Sequence, residues 1–247
     1  MLWQIPLIGR VLLGFVMMPI LAKIITKAPS RTRNLIWQYL FCAIIGLTMA
    51  VVMSVDLLDS RLLVLALIIG VPNAFACYCY WRAIDLSLSK TSVATQWDDI
   101  TSMTLGYLIL NEGQILNVPL AIGVILSVGA ALFFALSNWY FGSLLGSLAV
   151  YLIAGKKEAG KPLTVRQIVK VIPLSVTIVT SVSMLYWAKT LAPITVLQPI
   201  QQVAEMILPT LLGLYLFKEV KHLTRLDKVV FAVGIAGGLI VALSYGH

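Results

Sequence analysis

Three carboxylates interrupt stretches of this chain that are otherwise apolar: the adjacent pair Asp98 and Asp99, and Glu205. An ionisable side chain at the centre of a membrane-spanning helix costs about 2.5–3.5 kcal/mol on insertion scales, so each of them implies a partner or a task. A buried carboxyl group can take up and release a proton, or, when ionised, hold a cation. Adjacent aspartates point about 100° apart on a helix, so one can face a cavity while the other faces a neighbouring helix. The competing reading is an internal ion pair with Arg10, Arg82 or Lys189 that only orients helices.

Polar residues accompany these acids. Gln96 and Trp97 precede Asp98, and Gln198, Gln201 and Gln202 precede Glu205. The second set recurs at three- and four-residue spacing, which makes one polar stripe on a helix. Amides facing lipid would lack partners, so the stripe must face protein or water. Glutamines that merely lock helices together contribute roughly 0.6 kcal/mol each, and four polar groups in line suit a cavity wall better. Trp97, beside Asp98, offers an aromatic face to a flat or cationic solute. Tyr80, Trp81, Tyr186 and Trp187 lie near span ends, where such residues serve as interfacial anchors. The candidate substrate- and proton-binding set is therefore Asp98 and Glu205, with Gln96, Trp97, Gln198, Gln201, Gln202 and Asp99. Glu112 and Glu219 close spans and read as structural, pairing with nearby basic residues.

The elements that must carry these side chains follow from composition. Hydrophobic residues fill 60% of the 247 positions and charged residues 11%, about half the charged share of an ordinary soluble domain. Lipid is the solvent that suits such a surface. The net charge of +8 does not mark a nucleic-acid binder, because the basic residues cluster between apolar runs. The clusters are Lys23, Lys27, Arg31 and Arg33; Lys156, Lys157, Lys161, Arg166 and Lys170; and Lys218, Lys221, Arg225 and Lys228, where membrane proteins meet the cytoplasm and anionic headgroups. Cys42, Cys77 and Cys79 lie in apolar segments and read as packing residues, with no disulfide framework. The apolar run from Ile5 follows no basic leader region and reads as a first span.

A span needs roughly 20 apolar residues. Ile5–Ile25, Leu35–Val55, Leu62–Arg82, Thr91–Leu110, Ile168–Ala188, Ile194–Phe217 and Val229–Tyr245 qualify. Val118–Ala154 is too long for one helix, and Ser137-Asn138-Trp139-Tyr140 divides it in two, giving nine segments, with eight as the alternative. Nine full spans cannot place all three basic clusters on one side. Either one piece of Val118–Ala154 does not cross, or one basic loop lies outside.

An internal repeat organises the chain. Tyr80–Glu112 and Tyr186–Glu219 both open on Tyr-Trp at a span end and cross a short turn. Both then close a further span on Gly, five residues and Glu: Gly106 to Glu112 and Gly213 to Glu219. Counting back, Asp98 falls opposite Glu205. A Gly-rich helix follows each copy, around Gly123 and around Gly234, Gly237 and Gly238. The halves are residues 1–136 and a shorter 137–247, within one integral membrane domain. Transporters are commonly built from such duplicated halves.

In these residues, Tyr80-Trp81-Arg82-Ala83 through Asn111-Glu112 and Tyr186-Trp187-Ala188-Lys189 through Lys218-Glu219, the chain resembles the EamA-like branch of the drug/metabolite transporter superfamily. The resemblance implies an all-α polytopic fold of about nine (eight to ten) helices in two inverted repeats around a central cavity. Asp99 and Met206 stand where such relatives often carry a helix-loosening proline. The implied activity is secondary active transport of a small metabolite by alternating access, as proton-coupled export, from a multi-pass position in the plasma (bacterial inner) membrane. The alternative is a membrane-embedded accessory subunit that has lost transport. No enzyme motif, metal-ligand pattern or phosphate-binding loop is present, so no cofactor is expected. The expected partners are a small-molecule substrate and the lipid bilayer, without nucleic acid. A homodimer is an open possibility that no clear Gly-xxx-Gly face supports.

Overall fold

A computed structural model describes residues 3–26, 31–52, 60–95, 140, 142–154, 163–192, 194–222 and 224–225. Among them every regular element is helical. The first rod runs as α1 (Gln4–Val11), a π-helical segment (Leu12–Met17) and α2 (Met18–Thr26). Its change of pitch has a local cause. Pro19 has no N–H, so the Phe15 carbonyl loses its usual partner and the ladder widens just before it. Next come α3 (Arg31–Val52), α4 (Ser60–Leu86) and α5 (Leu88–Ala94). The second part holds α6 (Gly142–Ala154), α7 (Val165–Val169), α8 (Ile172–Leu191) and α9 (Ile194–Leu211). A π-helical segment (Leu212–Leu216) and a 3-10 turn (Glu219–His222) follow α9.

Among the described residues three helical runs are long and apolar enough to cross a bilayer: Gln4–Ile25, Arg31–Val52 and Val165–Leu191. At 1.5 Å per residue each covers a hydrocarbon core of about 30 Å. Large apolar side chains on their outer faces, such as Ile5, Val51 and Val176, are exposed, as lipid contact requires. The described residues are thus all helical, with helices of the length and composition of an all-α membrane protein. The expected spans at 91–110 and 229–245 and the piece before Tyr140 lie wholly or mostly outside the described residues. The expected span Leu62–Arg82 falls within α4, which begins at Ser60 and continues to Leu86.

Both Tyr-Trp pairs precede a helix break. After Tyr80 the helix ends at Leu86 and restarts at Leu88; after Tyr186 it ends at Leu191 and restarts at Ile194. The restart thus comes eight residues beyond the tyrosine in both copies. The restarted helices, α5 and α9, pack against each other.

Contacts fix which helix ends lie together. Lys23 and Arg31 reach Glu219 and Asp85, and Arg33 lies over the Tyr151 ring at 6.0 Å. The Ser175 hydroxyl donates to the Gln38 carbonyl at 3.1 Å, so α8 starts near the beginning of α3. At the opposite end Leu7, Ala188 and Leu197 form a small core with Trp3 and Ala192. Consequently α4 and α8 run in opposite directions, as do α5 and α9. Members of all three basic clusters (Lys23, Arg31 and Arg33; Arg166 and Lys170; Lys218 and Lys221) gather at one end. Residues 96–139, which include most of Val118–Ala154, lie outside the described residues.

One packing device was overlooked in the sequence. Gly142-Ser-Leu-Leu-Gly146 is a Gly-xxx-Gly face, and α4 covers it. A Cβ on Gly70 would come within 2.5 Å of the Gly142 and Ser143 backbone, and one on Gly146 within 2.7 Å of Val71 Cα. Small residues let the two backbones approach, and Asn73 then reaches Ser143 Oγ at 3.0 Å and the Tyr39 hydroxyl at 3.1 Å.

Candidate functional site

The interior between α1, α8 and α9 is polar at one level. Leu197 on α9 packs against Leu7 and Ala188, which identifies the α9 face turned towards α1 and α8. Gln201 and Glu205 follow at i+4 and i+8 on that face. Arg10 follows Leu7 on α1 by three residues. Its guanidinium donates to Ser181 Oγ on α8 at 2.8 Å and lies 4.8 Å from the centroid of the Phe15 ring. Gly14 makes this fit possible. A Cβ there would approach Arg10 Nη1 to 2.6 Å and Ser181 Oγ to 2.7 Å.

Tyrosines complete the interior. Tyr80 on α4 lies within electrostatic range of both Glu205 and Arg10. Tyr186 on α8 lies within range of Arg10, as does Lys189 one turn on, whose ammonium is 5.7 Å from the Tyr186 ring. Tyr140, ahead of α6, interacts with Arg10 and Tyr186. Tyr80 and Tyr186 thus both lie within electrostatic range of the same guanidinium. The adjacent tryptophans diverge. Trp81 is 2% exposed and belongs to the main core, not to the membrane interface, whereas Trp187 is 53% exposed.

Buried amides lie nearby. Gln201 and Gln202 are 5% and 9% exposed, and Gln201 Nε2, Gln202 Oε1 and Ser183 Oγ on α8 have no hydrogen-bond partner among the described residues. Unpaired buried polar atoms cost about 1–3 kcal/mol each, so a stripe that keeps them calls for an explanation. Pro209 adds to the polarity, because it has no N–H to give the Glu205 carbonyl. No protein-family model, curated protein or solved structure matches the chain. Its function must be read from this geometry.

Of the residues singled out by sequence, Gln201, Gln202 and Glu205 share one stretch of α9, and Gln198 is described only in its backbone. Gln96, Trp97, Asp98 and Asp99 lie outside the described residues. Among the cations considered as ion-pair partners, Arg82 is exposed and Arg10 and Lys189 face the interior. Arg10 stood out only as the one charged residue among the first 22. Ser181 and Gly14 carried no signal, because their importance depends on what lies opposite.

A second polar centre closes the basic end. Glu219 Oε1 accepts from Lys23 Nζ at 2.7 Å and from Leu88 N–H at 2.9 Å. Its Oε2 accepts from Ser89 N–H at 3.0 Å, Ser89 Oγ at 2.7 Å and Ser87 Oγ at 2.9 Å. Lys23 also donates to the Ile84 carbonyl at 2.8 Å and lies 5.5 Å from the Phe217 ring. Burial alone would raise the Glu219 pKa. The hydrogen bonds from Lys23, Ser89 and the two backbone N–H groups outweigh it and pull the value down to about 2. The pairing expected of Glu219 with a basic residue is met by Lys23. The Gly-x5-Glu spacing also has its explanation here: a Cβ on Gly213 would come within 2.8 Å of Ser89 N and 2.9 Å of Glu219 Oε2.

Proposed function

We propose that this chain is a secondary transporter that moves a small organic solute across the plasma membrane by alternating access, with Glu205 exchanging the coupling proton. The observation that carries this reading is the interior shared by Arg10, Glu205, Tyr80 and Tyr186, to which each repeat contributes one tyrosine. A site at the meeting of two duplicated halves is where such carriers bind their cargo. Further support comes from the opposed directions of α4 and α8 and from helix breaks at equivalent positions, which suit inverted repeats able to rock about their connections. The unpaired Gln201 and Gln202 atoms suit a wall that water or solute covers in turn. The resemblance to EamA-like transporters points the same way. The basic end faces the cytoplasm on this reading, by the positive-inside rule.

Solute flux into proteoliposomes under an imposed pH gradient tests the proposal, with native chain and Glu205→Gln compared side by side. Gradient-driven flux that collapses in the variant is the expected result. Flux that the substitution leaves unchanged would remove Glu205 from the pathway. The absence of flux across a broad panel of amino acids, organic acids, sugars and cations would favour an accessory membrane subunit.

A further inference from the structure

Resting on the transport reading, the contacts at the basic end identify what must give way there. We propose that the Lys23–Glu219 ion pair is a releasable latch, which holds the basic end shut in this structure and parts when that end opens. The seam runs between two packed groups. On one side α2 packs on α4; on the other α5 packs on α9 and on the π-helical segment after it. In an unbroken helix the Leu88 N–H would donate to the Ile84 carbonyl. Here the ion pair stands between them, with Lys23 Nζ on the Ile84 carbonyl at 2.8 Å and the Leu88 N–H on Glu219 Oε1 at 2.9 Å. Parting the pair therefore widens a break that the chain already has.

The bonds of the cluster are divided in a way that suits release. Glu219 takes four donors from its own side, the Leu88 and Ser89 N–H groups and the Ser87 and Ser89 hydroxyls, and one from Lys23 across the seam. When the pair parts, Glu219 keeps those four donors and Lys23 keeps a helix-end carbonyl, so neither charge is stripped bare. The Phe217 ring, 5.5 Å from Lys23 Nζ, crosses the seam with it. Both arms are also mounted on helices that can bend. Lys23 lies beyond the π-helical segment Leu12–Met17, and Glu219 beyond Leu212–Leu216. A widened ladder is a point at which a helix kinks. The neighbouring pair of Arg31 and Asp85, at 2.6 Å, joins α3 to α4 and does not cross the seam.

Distances between two spin labels read the opening directly and need no solute. The labels are attached at Val165→Cys, ahead of α8, and Val220→Cys, in the turn after α9, both exposed positions. The three native cysteines are replaced by alanine, and the protein is held in lipid nanodiscs. Because α8 packs against the first rod and α3, this label pair spans the seam. Double electron–electron resonance should give one main distance while the latch is intact. Glu219→Gln should raise the ratio of longer to main distances by about tenfold or more, the loss of a charge-assisted hydrogen bond across the seam. Lys23→Gln should do the same, and it decides alone if Glu219→Gln does not fold, since Glu219 keeps its other donors there. Lys23→Arg and Asp85→Asn should keep the native distances. Unchanged distances in the latch variants, or an equal shift in Asp85→Asn, would overturn the proposal. Longer distances without flux of any solute in proteoliposomes would keep the latch and remove the transport reading. Flux with unchanged distances would keep the transporter and remove the latch.

Discussion

Lys23 and Glu219 lie 196 residues apart in sequence and 2.7 Å apart in space, with side chains only 9% and 11% exposed. Around this pair the end of the first rod, the break between α4 and α5 and the turn after α9 are joined at one point. The same carboxylate supplies acceptors for the first N–H groups of α5, which a helix start otherwise leaves without partners. A side chain from the turn after α9 thus finishes the start of α5.

Removing one member of the pair should be more damaging than removing both. Glu219→Gln leaves the Lys23 ammonium buried without its counter-charge, and a loss of about 3–5 kcal/mol is expected. The double variant Lys23→Met with Glu219→Gln should recover part of that loss. Reversible unfolding in mixed micelles measures both, and a double variant at least as unstable as Glu219→Gln alone would refute the assignment.

Stability should respond to acid in a defined window. The folded value for Glu219, about 2, lies below its ordinary value of 4.5, so its contribution is fully present above about pH 4.5. It is lost as the pH falls through the folded value, and amounts to roughly 3 kcal/mol if the whole shift is expressed. Unfolding midpoints of native chain and Glu219→Gln should therefore converge as the pH falls from about 4.5 towards 2. A constant gap across that window would show that the carboxylate is not held as described.

Gly213→Ala tests the space that the carboxylate needs. The new methyl group would press on Ser89 N at 2.8 Å, which is backbone and cannot swing away. A loss of about 1–3 kcal/mol is expected, as for other overpacked positions. Ala substitution without measurable effect would mean that the turn and α5 are free to separate.

Lys218 offers the opposite sign. Its φ of 57° is a left-handed conformation that turns the chain back so that Glu219 can reach α5. A non-glycine residue there costs about 1–2 kcal/mol, and glycine removes that strain at some cost in unfolded-chain entropy. Lys218→Gly should stabilise the protein by about 0.5–1 kcal/mol, read as a raised unfolding midpoint. A lowered midpoint would show that the lysine side chain contributes more than its backbone costs.

Local rules made much of this protein legible. Apolar runs about 20 residues long fixed the helices, because backbone groups in lipid must bond within their own segment. The Tyr-Trp landmarks located both helix restarts, and the Gln201 to Glu205 spacing located one face of α9. Hydropathy and helical period act over 4 to about 20 residues, and these features live at that range. Tertiary structure decided the rest. Glu219 was readable as a structural acid, but its engagement of Ser87, Leu88 and Ser89 depends on packing across more than 100 residues. Gly142 and Gly146 could have faced lipid or a second copy, and α4 took them. The place of Arg10 depends on Ser181, Phe15 and Gly14, which only the packing brings to it. Many apolar helix faces are interchangeable in pattern, and only close packing of particular side chains chooses among them.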